Sequence, residues 1–276
     1  MIMAPNTMPL QLGVSLHTLD PEQHLATAER LAGSSVKAVE LWEPDFDKSE
    51  HHVAEMRRLL AAAGVAARTV HAAFGSALDL SSADSAVRAA GIEAFRAALD
   101  LAVRMRAQIV VVHAIAEPIP DEERAARLAE ARRSLRTIAG LAGSVGCQIA
   151  VELLPRSCLG NSAQELLGLL DDVDPQTAGV CLDTNHMMAD FVALPDAVRT
   201  LGSRLIALHC SDYDGIDEKH WPPLRGVIDW PAFLAALRDV QFQGPLNYEA
   251  TLDGETPDEK LAFLEDNYAR LMKSVC

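Results

Sequence analysis

The sequence is short of positive charge. Its 24 Lys and Arg stand against 39 Asp and Glu, a net charge of −15 with His neutral. A protein that grips nucleic acid by its phosphates needs a basic face, and one that docks on anionic lipid needs a basic patch. Excess acid argues against both, but not against binding divalent cations. Paired cysteines are also missing. Cys147, Cys158, Cys181, Cys210 and Cys276 are odd in number and include no CxxC, which fits reduced thiols better than a disulfide framework. No segment approaches the roughly 18 consecutive apolar residues of a membrane span. Met1 to Leu10 has no basic start followed by an apolar run, so it does not read as a signal peptide. The expectation is a soluble, cytoplasmic protein with no membrane partner. Three motifs are absent as well. The first apolar run continues Gly13-Val14-Ser15-Leu16-His17 rather than GxGxxG, and neither a GxSxG nor a P-loop occurs. Dinucleotide binding, a serine nucleophile and a phosphate cradle therefore lack their usual carriers.

What the sequence has is alternation. Hydrophobic residues make up 49% of the 276, enough for a sizeable core and too many for a disordered chain. Short runs rich in Val, Ile and Leu fall at Leu12–Leu16, Val36–Leu41, Val65–Val70, Gln108–Val112, Gln148–Leu153, Ala178–Leu182, Leu205–Leu208 and Pro245–Tyr248. Such runs suit strands buried on both faces of a parallel sheet. Between and after them lie Pro21–Gly33, Lys48–Gly64, Ser82–Arg106, Asp121–Gly146, Ser162–Leu170, Leu194–Ser203, Pro231–Val240 and Pro257–Ser274, with apolar spacing near 3.6. Asp20-Pro21, Asp229-Trp230-Pro231 and Thr256-Pro257 read as helix starts, and Gly33, Gly64 and Gly146 as helix ends. Eight strand and helix units in strict order predict one α/β domain over residues 1–276, a (β/α)8 barrel, with residues 1–10 as a short extension. The longest insertion, Ser211–Asp229, follows the seventh strand, where long loops are usually functional.

Polar residues collect at the strand ends: His17, Glu40, His71, His113, Glu152, Asp183 with His186, His209, and Glu249. A barrel brings the C-terminal ends of its strands to one face, where active sites form. Residues more than 200 positions apart would then share a pocket, and their types are those that bind divalent cations. A single strand-end carboxylate is often only a helix cap, and a lone His is often a hydrogen-bonded core residue. The concentration carries the argument, because so many ionisable groups are costly to bury together without a cation. His24, His51 and His52 lie on helical stretches and read as surface residues. Arg225, in the seventh insertion, would clamp substrate oxygens or pair with a surface acid. Cys181 and Cys210 read as packing residues.

At Val39-Glu40-Leu41-Trp42, Val70-His71-Ala72, Val112-His113, Val151-Glu152, Gly179-Val-Cys-Leu-Asp183-Thr-Asn-His186, Leu208-His209-Cys-Ser-Asp212, Gly226-Val-Ile-Asp-Trp230 and Tyr248-Glu249, the sequence resembles the xylose-isomerase-like TIM-barrel superfamily. This is the sugar phosphate isomerase/epimerase group, and the resemblance runs from Gly13 to about Tyr268. Its ketose 3-epimerase branch implies one divalent ion (Mn, Mg, Co or Zn) on Glu152, Asp183, His209 and Glu249. Glu152 and Glu249 would be acid and base, and His186, Arg225, His71 and His113 would bind substrate. The reaction would be proton transfer through a metal-stabilised enediolate of a ketose, inosose or related polyol. That branch carries a glutamate where this sequence has Cys158. The endonuclease IV branch, a DNA repair nuclease with a multi-zinc site, would add His71, His113, His186 and an Asp-x-His, here Glu218-Lys219-His220. Glu218, His220, Glu40 and Trp42 are further metal or pocket candidates, and a second or third ion stays open. The net charge disfavours nucleic acid as a partner. A dehydratase of the inosose or 3-dehydroshikimate type, a non-catalytic metal- or sugar-binding barrel, and a homo-oligomer stay open.

Overall fold

The computed structural model describes residues 10–274. Apart from Leu10, the extension expected over residues 1–10 lies outside the described residues, as does Cys276. Eight parallel strands follow one another: β1 (Leu12–Ser15), β2 (Val36–Trp42), β3 (Ala66–His71), β4 (Ile109–Val112), β5 (Gln148–Glu152), β6 (Ala178–Asp183), β7 (Leu205–His209) and β8 (Leu246–Tyr248). Each pairs with its sequence neighbour, and β8 pairs with β1. The remaining seam, between β7 and β8, closes through one bridge. Cys210 N donates to Asn247 O at 2.7 Å, and Glu249 N donates to Cys210 O at 3.3 Å. The result is the expected (β/α)8 barrel.

The surrounding helices are α1 (Leu16–Leu19), α2 (His24–Arg30), α3 (Glu50–Ala63), α4 (Ser85–Met105), α5 (Asp121–Ser144), α6 (Ala163–Leu169), α7 (Leu194–Leu201), α8 (Trp230–Asp239) and α9 (Pro257–Lys273). Their starts follow local chemistry. Asp229 caps α8 by accepting from Ala232 N at 3.0 Å, and Thr256 with Glu259 forms a capping box on α9. Gly64 ends α3 at φ 68°, a left-handed turn that glycine adopts without strain. Two expectations change. Asp20 does not cap α2; its carboxylate accepts from Glu22 N and Gln23 N, holding a turn, and the helix starts later, at His24. His24 is buried rather than on the surface, stacked on Phe46. The seven-residue α2 is too short to show which face turns inward.

Alternation along the strands sorts the core into two parts. Val110, Val112, Ile149, Val151, Val180 and Leu182 pack outward with the helices, in the large cluster. Ile109, Val111, Ala150, Cys181 and Ala207 form a second cluster, the plug of the barrel. Two residues along from this plug, toward the C-terminal ends, stand His113, Glu152, Asp183 and His209. An inward position is apolar at the bottom and ionisable at the top, so the fold sets the site on the plug. Register keeps the tips level, pairing Trp42 with His71 and Asp183 with His209. Among the described residues, no helix is long and apolar enough to cross a membrane.

Candidate active site

Glu152, at the tip of β5, lies at the centre of the polar cluster. Its Oε2 is 3.0 Å from His71 Nε2 and 3.1 Å from His113 Nε2, and its Oε1 is 3.2 Å from His209 Nδ1. His209 Nδ1 also meets Glu249 Oε2 at 2.8 Å. The other nitrogen of His209 faces Glu40 at 3.1 Å, and Nδ1 of His71 faces Ala72 O at 2.9 Å. Both nitrogens of both rings therefore face acceptors, which favours the imidazolium form in each. Burial alone would lower the pKa of His209, but Cys181, Glu249, Glu40 and Glu152 around it hold it well above its ordinary value. His71 is also raised against burial, by Glu152 first. His113 goes down, because burial outweighs its bond to Glu152.

The carboxylates respond in kind. Burial would raise Glu152, but His209 and His113 bring it well below the usual carboxylate range. Glu249 is held down to about 2 against burial, mainly by His209. Asp183 goes the other way, raised by burial that His186 only partly offsets. Its Oδ1 accepts from Asn185 N at 2.7 Å, but its buried Oδ2 has no hydrogen-bond partner. A buried, unpartnered carboxylate oxygen is costly. One ligand atom each from Glu152, Asp183, His209 and Glu249 lie within 4.8 Å of one another. Three carboxylates and an imidazole, with one oxygen left unsatisfied, fit a divalent cation. Two further groups, His71-His113-Glu152 and His186-Glu218-His220, have donors equally close together.

These residues open into a cavity of about 380 Å³, lined also by Ser15, His17, Trp42, Phe74, Pro118, Leu154, Arg156 and Cys158. Trp42, on β2, tilts against His71 at 4.7 Å, and Phe74 stacks on His113 at 3.9 Å, giving one apolar wall. His186 points Nδ1 at Leu153 O, 2.8 Å away, which leaves Nε2 for the cavity. Glu218 and His220, from the seventh insertion, also line the cavity. Glu40 does not line the cavity; it sits below His209, 1% exposed.

Arg225 is elsewhere. It forms a two-pronged pair with Asp253 and lies over the Phe263 ring, outside the cavity lining. Of the two roles its sequence position allowed, this is the pairing with a surface acid. The guanidinium in the lining is Arg156, on the loop after β5, paired with Glu218 and Asp217 at 2.6 Å each. No strand-end pattern marks Arg156, so sequence reasoning missed it. Phe74 was missed for the same reason.

The seventh insertion is held by Asp212. This fully buried carboxylate accepts from Tyr213 N, Ile228 N and Trp230 Nε1. Gly226 passes so close that an added Cβ would lie 2.0 Å from Tyr213 O, so only glycine fits. The Asp212 and Gly226-to-Trp230 motifs thus build the frame that sets Glu218 and His220 in the cavity lining.

Comparison with known proteins agrees with this geometry. The xylose isomerase-like TIM barrel family model matches residues 28–267. The chain belongs to this family. An L-ribulose 3-epimerase of Methylomonas sp. (strain DH-1) is 29% identical over 199 residues, 70% of this chain and 67% of that protein. A ketose 3-epimerase of Arthrobacter globiformis is 26% identical over 212 residues, 75% of this chain and 71% of that one. A solved D-tagatose 3-epimerase-like protein superposes with a TM-score of 0.79 at 24% identity, covering 97% of this chain and 100% of its own. That last likeness speaks for the fold of this xylose isomerase-like barrel.

Proposed function

We propose that this xylose isomerase-like barrel is a sugar epimerase or isomerase that moves a proton beside the carbonyl of an unphosphorylated ketose, inosose or related polyol. Glu152, Asp183, His209 and Glu249 would hold one divalent cation. The observation that carries the reading is the orphaned Oδ2 of Asp183 among three further donors, with two ionised glutamates lining the same cavity. Bound there, the cation would supply the positive charge that stabilises an enediolate when the carbon loses its proton.

The chain's own residues do the rest. Glu152 and Glu249 are ionised at neutral pH, so either can take a proton from carbon. One glutamate takes the proton on one face; the other, once it has itself taken up a proton from solvent, returns that proton on the opposite face, which inverts the centre. His71 and His113 donate to Glu152 Oε2 and fix its direction. His186 offers a free Nε2 to a substrate hydroxyl. Trp42 and Phe74 form an apolar wall for the C–H face of a sugar and exclude water. Arg156, the cavity's guanidinium, is already paired with two acids, which supports a substrate without phosphate. The ketose epimerases among the relatives support the same class.

The test is solvent-deuterium exchange into a panel of free ketoses and inososes, with protein loaded with Mn, Mg, Co or Zn. We expect deuterium at the carbon beside the carbonyl and a new epimer or isomer, both lost on chelation. A product lighter by one water would indicate a dehydratase. Preference for a sugar phosphate, or no exchange with any ketose or inosose, would sink the reading.

A further inference from the structure

We propose that Glu40 is the positioning residue of the cation site: it orients His209 and sets its ligand nitrogen. The inference rests on the cation reading above. His209 has two edges. Nδ1 faces Glu152 and Glu249, the side of the four-donor group, and Nε2 faces Glu40 at 3.1 Å. If Nδ1 is the ligand, Nε2–H must donate, and the Glu40 carboxylate accepts it. Such an outer carboxylate fixes tautomer and ring angle and makes the ligand more basic.

Glu40 is itself held. Thr69 Oγ1 donates to its Oε2 at 2.8 Å, and Asn247 Nδ2 to its Oε1 at 3.4 Å. Strands β2, β3, β7 and β8 thus meet at one carboxylate under the floor of the cavity. It is 1% exposed and lines no part of the cavity, so it touches no substrate. A carboxyl group buried this deep needs hydrogen-bond partners, and His209 is one of them.

The experiment measures ion affinity rather than turnover. Stripped full-length protein is titrated with Mn(II) and Co(II) by calorimetry, for wild type, Glu40→Gln and Thr69→Val. The Co(II) visible bands and the melting temperature of the ion-free protein are recorded alongside. In Glu40→Gln we expect affinity to fall about 10- to 100-fold and the Co(II) bands to shift, alongside a fall in ion-free melting from the broken buried pair with His209. Thr69→Val keeps the carboxylate but loosens it, so it should lose less, and it carries the test if Glu40→Gln does not fold. Affinity and bands equal to wild type in both variants would overturn the role of Glu40. A fall in ion-free melting with unmoved affinity would do so too, showing Glu40 to be structural. Wild type that takes up no ion would overturn the cation reading itself, and this inference with it.

Discussion

Two groups of histidines divide the molecule. His71, His113, His186 and His209 lie at or near strand tips, against Glu152, Asp183 and Glu249. His24 and His52, on α2 and α3, pack against Phe46 behind the barrel mouth. His24 in one and His209 in the other are both buried, yet their protons behave oppositely. Burial, followed by His52, lowers the pKa of His24, and Asp45 only partly offsets this. Burial acts on His209 as well, but the acids around it override it. Burying a histidine therefore does not make a site. Carboxylates converging on it do, because they turn a desolvated base into a fixed cation or a metal ligand.

The sharpest way to break this comparison is to remove a carboxylate. Glu152→Gln and Glu249→Gln each keep the shape and delete the proton acceptor. Each should lower kcat on the responsive ketose by about 10² to 10⁴-fold, whereas His24→Phe should leave it within about twofold. Steady-state kinetics with saturating ion decide. Full activity in either glutamate variant would take that residue out of proton transfer.

Ion removal comes next. Ligand at about 100 times its Kd stabilises a fold by about 2.7 kcal/mol. Wild type should melt several degrees higher with Mn or Co than with chelator. Asp183→Asn should lose most of that difference, since it replaces the orphaned oxygen. Equal shifts in wild type and Asp183→Asn would show that the ion binds elsewhere. One of the two other donor groups, His71-His113-Glu152 or His186-Glu218-His220, would then be the place to look.

The other histidine group predicts a pH effect. The folded-state pKa of His24 lies below its unfolded value of about 6.5. As pH falls through that value the unfolded chain binds the proton first, so stability is lost until the folded-state pKa is passed. In His24→Phe this contribution is gone. Urea midpoints of variant minus wild type should therefore rise as pH drops from 7.5 toward 5. A difference constant with pH would mean that His24 is not held neutral by the fold.

The two regions also differ in how readable they were. Most strands announced themselves by a short Val-, Ile- or Leu-rich run, as in Ile109–Val112 and Gln148–Glu152, because a barrel strand is covered on both sides. The strand-tip residues followed, since the two-residue period and the common direction of parallel strands carry them to one place. His24 was misread because burial of a short helix depends on what packs over it, here Phe46. The two arginines were unreadable for a related reason. Arg156 and Arg225 stand on loops whose paths are set by distant bonds, such as those of Asp212, and no local period reports where a loop side chain points.

That gap yields the finest test. Arg156 lines the cavity and Arg225 pairs with Asp253 outside it. Both are about half-exposed, so neither ion pair is expected to matter much for stability, typically under about 1 kcal/mol. In kinetics they should separate. Arg156→Ala removes a wall of the cavity and frees Glu218, which should raise KM by roughly three- to tenfold, the equivalent of about 0.7 to 1.4 kcal/mol of binding. Arg225→Ala should leave KM within about twofold. The reverse order would mean that the seventh insertion rearranges over bound substrate and turns Arg225 inward. The clamp role its sequence position suggested would then belong to the closed form, and the pair with Asp253 would be the contact that closure breaks.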